Sequence, residues 1–198
     1  MRASSFWIAF SLLFGTLLAD VQEEVTGLSF PEAVNLTAAG KTYQLEETGV
    51  ASLKMYGFKI YGMAHYLQKE AFDTPDAYNK IFQDTFAKQM TLKYLMGASV
   101  RQVQNGIRKA FRNSLDDATY SQLANEIDTY ISFFNQPLSK GDEQIIRWIP
   151  GGQIQLEING ATVGSLTHPG FAEAVWNLWF GPTSDVDRNR LAAKLPTT

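Results

Sequence analysis

Cysteine is absent from the 198 residues of this chain, and its absence removes several classes of chemistry. A protein without cysteine has no disulfide, no thiolate nucleophile and no cysteine-ligated metal. The absence says nothing about the compartment, because a chain of this length can bury a core that needs no covalent cross-link.

Histidine is scarce as well, with only His65 and His168 in the chain. Neither stands in a spacing that places two ligands on one metal ion, so we predict no metal site and no cofactor. The nucleophile motif of serine hydrolases and the glycine-rich phosphate loops are also missing. The favoured interpretation of His65, on a predicted strand, is a packed or rim histidine. No catalytic residue can be named from motifs alone.

Positive charge is not in excess, which bears on the partners of the protein. Lysine and arginine number 17 against 20 acidic residues, and no strongly basic block occurs. A nucleic-acid binder needs a positive surface to neutralise phosphates, so we expect no nucleic-acid partner. Hydrophobic residues make up 45% and aromatics 13%, which suits a globular core or an apolar ligand site.

The N-terminus carries the one long apolar run. Residues 6–18 (FWIAFSLLFGTLL) follow Arg2 and end at an abruptly polar stretch, residues 20–24 (DVQEE). The run is too short to span a bilayer comfortably and has one basic flank, a pattern typical of a secretory signal. We predict a signal peptide at 1–19 and one domain at 20–198, exported to the periplasm or secreted, without a membrane span after cleavage. A retained N-terminal anchor is the alternative.

The remaining chain predicts more hairpins than βαβ units. Strands are predicted at residues 25–31, 34–36, 43–45, 50–56, 58–67, 90–96, 144–149, 153–158 and 161–166. Helices are predicted at 74–86, from a Ser99–Gln102 capping box to 111, from Asp116-Asp117 to 134, at 171–180 and at 184–195. Asn159-Gly160 is the strongest hairpin signal. The order predicts an α+β fold with a mostly antiparallel, open-faced sheet and helices on one face.

Three stretches together resemble the chalcone isomerase-like family, in particular its exported, bacterial-type branch. They are residues 27–31 (GLSFP), residues 57–67 (GFKIYGMAHYL), and the C-terminal run from 158–160 (ING) to 171–182 (FAEAVWNLWFGP). The loop at 140–142 and the turn at 150–152 also fall where the family has them. These pieces occur in the order of the family and together span nearly the whole chain after the signal.

The resemblance implies a cleft between the sheet and the helices. Enzymatic members of the family close a flavanone ring by intramolecular attack of a phenolate on an enone, guided by cleft polar groups that include an arginine. Non-enzymatic members bind fatty acids through an arginine and a hydroxyl side chain. The position of the family arginine falls at Ala51 or Leu53, and the nearest cation is Lys54. The strand threonine of the enzyme falls at Tyr61, and its helix tyrosine and asparagine fall near Ser99 and Gly106.

Four residues are therefore candidates for ligand binding: Lys54, Tyr61, Tyr94 and Ser99. Strict alternation along residues 58–67 places Lys59, Tyr61, Met63 and His65 on one face. A half-buried strand tyrosine is the alternative interpretation of Tyr61, and an exposed edge lysine that of Lys54. For Trp176 and Trp179 core packing is favoured, with capping of the cleft as the alternative for one of them.

The leading hypothesis is a non-catalytic protein that binds a small apolar ligand, such as a fatty acid. An isomerase or intramolecular lyase that uses Tyr61 and Lys54 is one alternative. A structural or partner-binding envelope protein, whose cleft is filled by side chains, is the other. The ligand, the oligomeric state and any protein partner are left open by the sequence.

Overall fold

The structure of the protein is a computed structural model that describes residues 19–196. The predicted signal peptide lies outside these residues, apart from Ala19. Over the described part of the chain, no helix combines the length and the apolar character needed to cross a bilayer.

A seven-stranded sheet forms the body of the fold. Its strands lie side by side in chain order, and every neighbouring pair is antiparallel. This confirms the predicted sheet. The turn between the last two strands has Asn159 and Gly160 at φ 50° and 79°, the left-handed conformation that the Asn-Gly signal predicts. The strands are β3 Ala33–Ala38, β4 Lys41–Met55, β5 Phe58–Gln68, β6 Lys88–Tyr94, β7 Glu143–Ile149, β8 Gln153–Ile158 and β9 Ala161–Thr167.

A two-stranded ribbon packs on one face of this sheet. It pairs β1 Asp20–Gln22 with β2 Ser29–Pro31 and buries Phe30 in a small apolar cluster. The predicted strand at 25–31 is therefore wrong in its first half. The carboxylate of Glu23 accepts hydrogen bonds from the backbone and hydroxyl of Thr26, and these bonds hold residues 23–28 in a turn.

Helices cover the opposite face and complete the main core. The predicted capping box is present, since Ser99 and Gln102 satisfy each other's backbone amides. The helices are α1 Lys69–Phe72, α2 Ala77–Lys80, α3 Val100–Ser114, α4 Asp117–Gln122, α5 Ala124–Ser132, α6 Pro169–Phe180 and α7 Arg188–Leu191.

The helix predicted for residues 74–86 does not form as one element. The Thr74 hydroxyl donates to the carbonyl of Ala71 and closes α1, where the sequence indicated an N-cap. Further along, the Asp84 carboxylate accepts hydrogen bonds from Trp148 Nε1 at 2.6 Å and from the Gly152 amide at 2.7 Å. These tertiary bonds anchor the segment to the β7–β8 turn, and they outweigh its helical periodicity.

Two other predicted helices differ in their bounds. The helix predicted to begin at Asp116-Asp117 does so, with Asp116 as its cap, but it is divided at Leu123, which separates α4 from α5. The last helix is shorter than predicted, because Asp187 is its cap and Ser184 instead bonds to the backbone of Val186.

His65 lies at the centre of a buried hydrogen-bond chain that ties the C-terminal segment to the sheet. Trp176 Nε1 donates to His65 Nε2 at 3.1 Å, so the imidazole proton is on Nδ1 and is donated to Thr48 Oγ1 at 2.7 Å. The Thr48 hydroxyl donates in turn to the Leu191 carbonyl at 2.6 Å. Burial, with a smaller contribution from the Lys88 charge, lowers the pKa of His65 well below its ordinary value. The interpretation of His65 as a packed histidine is confirmed.

Candidate functional site

A cavity of about 510 Å³ lies between the sheet and the helical layer. Its floor is formed by the inward-facing side chains of four neighbouring strands, β4 to β7. Its roof is formed by α3, α5 and α6, together with the loop that follows α6. The lining is mostly apolar and aromatic, and its main members are Leu53, Tyr61, Leu92, Tyr94, Val103, Ile107, Tyr130, Phe134, Leu178 and Trp179.

Small residues on α3 keep the cavity open. The lining positions of this helix fall in two adjacent rows, and Gly106 and Ala110 lie at the centre of the face that they form. A Cβ placed on Gly106 would meet no atom within 4 Å. Phe111 is the only fully buried residue of α3, and the apolar Val103 and Ile107 line the cavity.

The floor carries a small polar cluster. Tyr61 and Tyr94 are cross-strand partners whose rings meet edge to face at 5.7 Å. The Tyr94 hydroxyl donates to Gln144 Oε1 at 2.7 Å, and Trp179 Nε1 donates to the Tyr61 hydroxyl at 3.3 Å. Within residues 19–196, neither the Tyr61 hydroxyl proton nor the Gln144 Nε2 amide has an acceptor, so two donors line the cavity unused.

Both tyrosines are protonated at neutral pH. Burial raises the pKa of Tyr61 to about 12, although the hydrogen bond from Trp179 acts in the opposite direction. Burial also raises the pKa of Tyr94 well above its ordinary value, and neighbouring Tyr61 contributes to the same shift. The two phenols are therefore hydrogen-bond donors and not ready proton acceptors.

Formal charge is confined to the rim of the cavity. Lys109 on α3 and Asp185 in the loop after α6 both line it, and both are exposed to solvent. The described lining contains no arginine. Of the two positions that match the family arginine, Leu53 lines the cavity and Ala51 is buried in the core. No cluster of three metal-ligating side chains occurs between residues 19 and 196.

The structure brings two of the four predicted site residues together and separates the others. Tyr61 and Tyr94 line the cavity. Lys54 is exposed and does not line it, although its neighbours Leu53 and Met55 do. Ser99 also lies outside the lining, where its hydroxyl donates to Gln102 Oε1 at 2.8 Å as part of the helix cap.

The expected alternation along β5 fails at Lys59. The register of β4 and β5 shifts after Leu53, which pairs with Tyr61, so that Lys54 pairs with Lys59 and Met55 with Phe58. The shift leaves Ile60 as an extra residue, and both Ile60 and Tyr61 line the cavity. Lys59 therefore lies with Lys54 on the other face, while Tyr61, Met63 and His65 keep the predicted face.

Sequence reasoning missed Gln144 and Lys109, and it left the role of Trp179 open. The sequence contains a signal for Gln144. This residue, Ile146 and Trp148 alternate as the buried face of β7, where a glutamine is unusual. Trp176 packs in the core as predicted, and Trp179 lines the cavity. Nothing in the sequence marks Lys109, which is one of several cations on α3.

Comparisons with known proteins agree with the observed fold. Residues 22–191 match a family model described as chalcone isomerase-like. The crystal structure of a fatty-acid binding protein of Arabidopsis thaliana is similar, with a TM-score of 0.70, 18% identity, and coverage of 87% of this chain and 94% of that one. At that identity the likeness shows the fold alone. No curated protein matches the chain significantly.

Proposed function

The chain belongs to the chalcone isomerase-like family, and we propose that it is a non-catalytic member that binds a small apolar ligand, such as a fatty acid, in the cavity. The observation that carries the proposal is an apolar space of about 510 Å³ with two unused hydrogen-bond donors on its floor. That size is within the range of small-molecule sites, which are mostly apolar with a few convergent polar groups. Fatty-acid binding by the Arabidopsis protein is consistent with this proposal.

The apolar lining would supply most of the affinity. Each methylene moved from water into such a site contributes about 0.8 kcal/mol, which corresponds to about a fourfold gain in affinity. Affinity should therefore rise with acyl chain length until the cavity is full and then level off.

The polar cluster would hold the head group. The Tyr61 hydroxyl and the Gln144 amide can each donate to a carboxylate or carbonyl oxygen, and Tyr61 keeps its proton because burial raises its pKa to about 12. Lys109 is the cation of the described lining, at the rim, and it offers a point charge without the planar fork of an arginine. Neutral donors on the floor therefore favour a single acyl head over a doubly charged phosphate.

An isomerase that uses Tyr61 and Lys54 has weaker support. Tyr61 is a protonated phenol, and Lys54 does not line the cavity, so the two groups named for that reaction do not meet there. Turnover of a chalcone that is lost in Tyr61→Phe would overturn the non-catalytic assignment, and a flat trace with wild-type protein agrees with it.

We further propose that the protein acts after export, in the periplasm or outside the cell. The support is the apolar run at 6–18 with its basic start and polar end. The intact mass of the protein from the exported fraction should correspond to a chain that begins at Asp20. A mass that retains residues 1–19 would favour the anchor.

The binding proposal is tested by delipidating the protein and titrating fatty acids while recording tryptophan fluorescence. Trp179 lines the cavity, whereas Trp148 and Trp176 are buried away from it, so the signal should vanish in Trp179→Phe. Mass spectrometry of molecules that co-purify with untreated protein identifies the native ligand. Absence of any saturable fluorescence change across the acyl series would contradict the proposal.

A further inference from the structure

The exposed large hydrophobic side chains of residues 19–196 gather at one place. They are Met55, Tyr56, Phe58 and Met96, with 42%, 93%, 60% and 39% of their surface exposed. The first three form the β4–β5 hairpin tip, and Met96 follows the adjacent strand β6 at the same end of these strands. Met55 and Met96 also line the cavity, so this patch borders its mouth.

The turn itself places an aromatic side chain where the backbone disfavours one. Tyr56 has φ 50° and is followed by Gly57 at φ 83°. The other two-residue turns of the same kind carry Ala39-Gly40 and Asn159-Gly160. A bulky residue is rarely found in this left-handed conformation, and asparagine tolerates it well. The tip therefore keeps a solvent-exposed tyrosine at a conformational cost that an asparagine would avoid.

The tip is also positively charged. Lys54 and Lys59 flank the turn as a cross-strand pair, both are exposed, and neither forms an ion pair within the described residues. No acidic residue occurs between positions 48 and 69, whereas the chain as a whole has a net charge of -3. An acidic protein thus presents its exposed apolar groups between two free cations. The apolar side chains and the two lysines together complement a surface that is apolar beneath a negatively charged layer.

We propose that the hairpin tip, residues 54–59, docks on the surface of an anionic phospholipid bilayer, with Tyr56 and Phe58 in the interface and Lys54 and Lys59 against the head groups. Aromatic side chains favour this interfacial depth, and lysines beside them are attracted by anionic lipid. Docking would place the cavity mouth against the bilayer, where an acyl chain could pass without crossing water. Only this last consequence rests on the proposed function.

The test is co-flotation of the mature chain, residues 20–198, with vesicles that contain no added fatty acid. Vesicles of equal parts phosphatidylcholine and phosphatidylglycerol should bind it more strongly than phosphatidylcholine alone, and salt should weaken the binding. Each lysine near an anionic surface contributes a factor of about five, so Lys54→Glu with Lys59→Glu should reduce partitioning by about 25-fold or more. Lys41→Glu is the matched control, because Lys41 lies at the other end of β4 and should have no effect.

A second pair of substitutions tests the apolar groups without threatening the fold. Tyr56→Asn suits the turn better than tyrosine does, and Phe58→Thr keeps a strand-forming residue at an exposed position. Together they should lower partitioning at least about tenfold. Fatty-acid binding in solution should be unchanged, since neither side chain lines the cavity.

The outcomes separate this proposal from the binding function. Vesicle binding without fatty-acid binding supports the docking surface and contradicts the ligand. Fatty-acid binding without vesicle binding supports the ligand and contradicts the docking surface. Docking is overturned by equal flotation of the tip variants and the wild type. It is also overturned by a dimer that Phe58→Thr dissociates, because a second copy of the chain then covers the patch.

Discussion

Filling the cavity from Gly106 should weaken the binding of long acyl chains without destabilising the fold. Gly106 lies at the centre of the lining face of α3, and a Cβ there meets no atom within 4 Å. Gly106→Leu adds three carbon atoms beyond those of alanine. If these displace three methylenes of a ligand that fills the cavity, the loss is about 2.4 kcal/mol, or about a sixtyfold rise in Kd.

Gly106→Ala is the matched control. Glycine within a helix costs about 1 kcal/mol relative to alanine, so this variant should unfold at higher denaturant concentration and bind like the wild type. The assay is a titration of delipidated protein with saturated fatty acids of increasing length, alongside urea unfolding. The affinity of Gly106→Leu should level off at a shorter chain than that of Gly106→Ala. If the leucine variant is folded and binds every chain length as the alanine variant does, the ligand does not occupy this space.

Three further predictions follow from single contacts. Tyr61→Phe should raise the Kd for a fatty acid about tenfold or more, because a hydrogen bond to a charged group contributes about 1.5–3 kcal/mol. An unchanged Kd would show that Tyr61 does not bind the ligand. His65 is neutral in the folded protein, but below about pH 6.5 the unfolded chain takes up a proton at this residue. The free energy of unfolding should therefore fall with acidification by up to about 1.4 kcal/mol per pH unit, and it should fall less steeply in His65→Gln. Gly49→Ala should lower that free energy by about 1–3 kcal/mol in denaturant titrations, since its Cβ would clash with the Arg190 carbonyl, and a neutral result would mean that α7 moves freely.

Local signals in the sequence predicted most elements of the fold. Asn159-Gly160 and the Ser99–Gln102 capping box are complete within a few residues of chain, and both are present as expected. The predicted helix at 74–86 failed for the opposite reason. Its outcome depends on Asp84 reaching Trp148 and Gly152, more than 60 positions further along, which helical periodicity does not register.

The residues of the candidate site were likewise predicted only in part. Tyr61 was predicted from strand alternation and the family resemblance, and Tyr94 from strand alternation alone, and the two are cross-strand partners. Lys59 was misplaced relative to the cavity because a register shift beside it depends on pairing between strands, which alternation along one strand does not reveal. Lys54 was chosen as the cation nearest to the family arginine position, and alternation along β4 places it on the face opposite Leu53 and Met55, which line the cavity. The volume of the cavity could not be predicted, because it arises from how far α3 stands from the sheet around Gly106 and Ala110.

The proposed function requires an acyl chain to occupy the space between the sheet and α3. Isothermal titration calorimetry of delipidated protein, residues 20–198, with a long-chain fatty acid, repeated at several temperatures, measures this occupancy most directly. We predict one ligand per chain and a negative heat-capacity change from apolar burial. A titration without saturation, or one whose heat-capacity change is zero, would contradict the account.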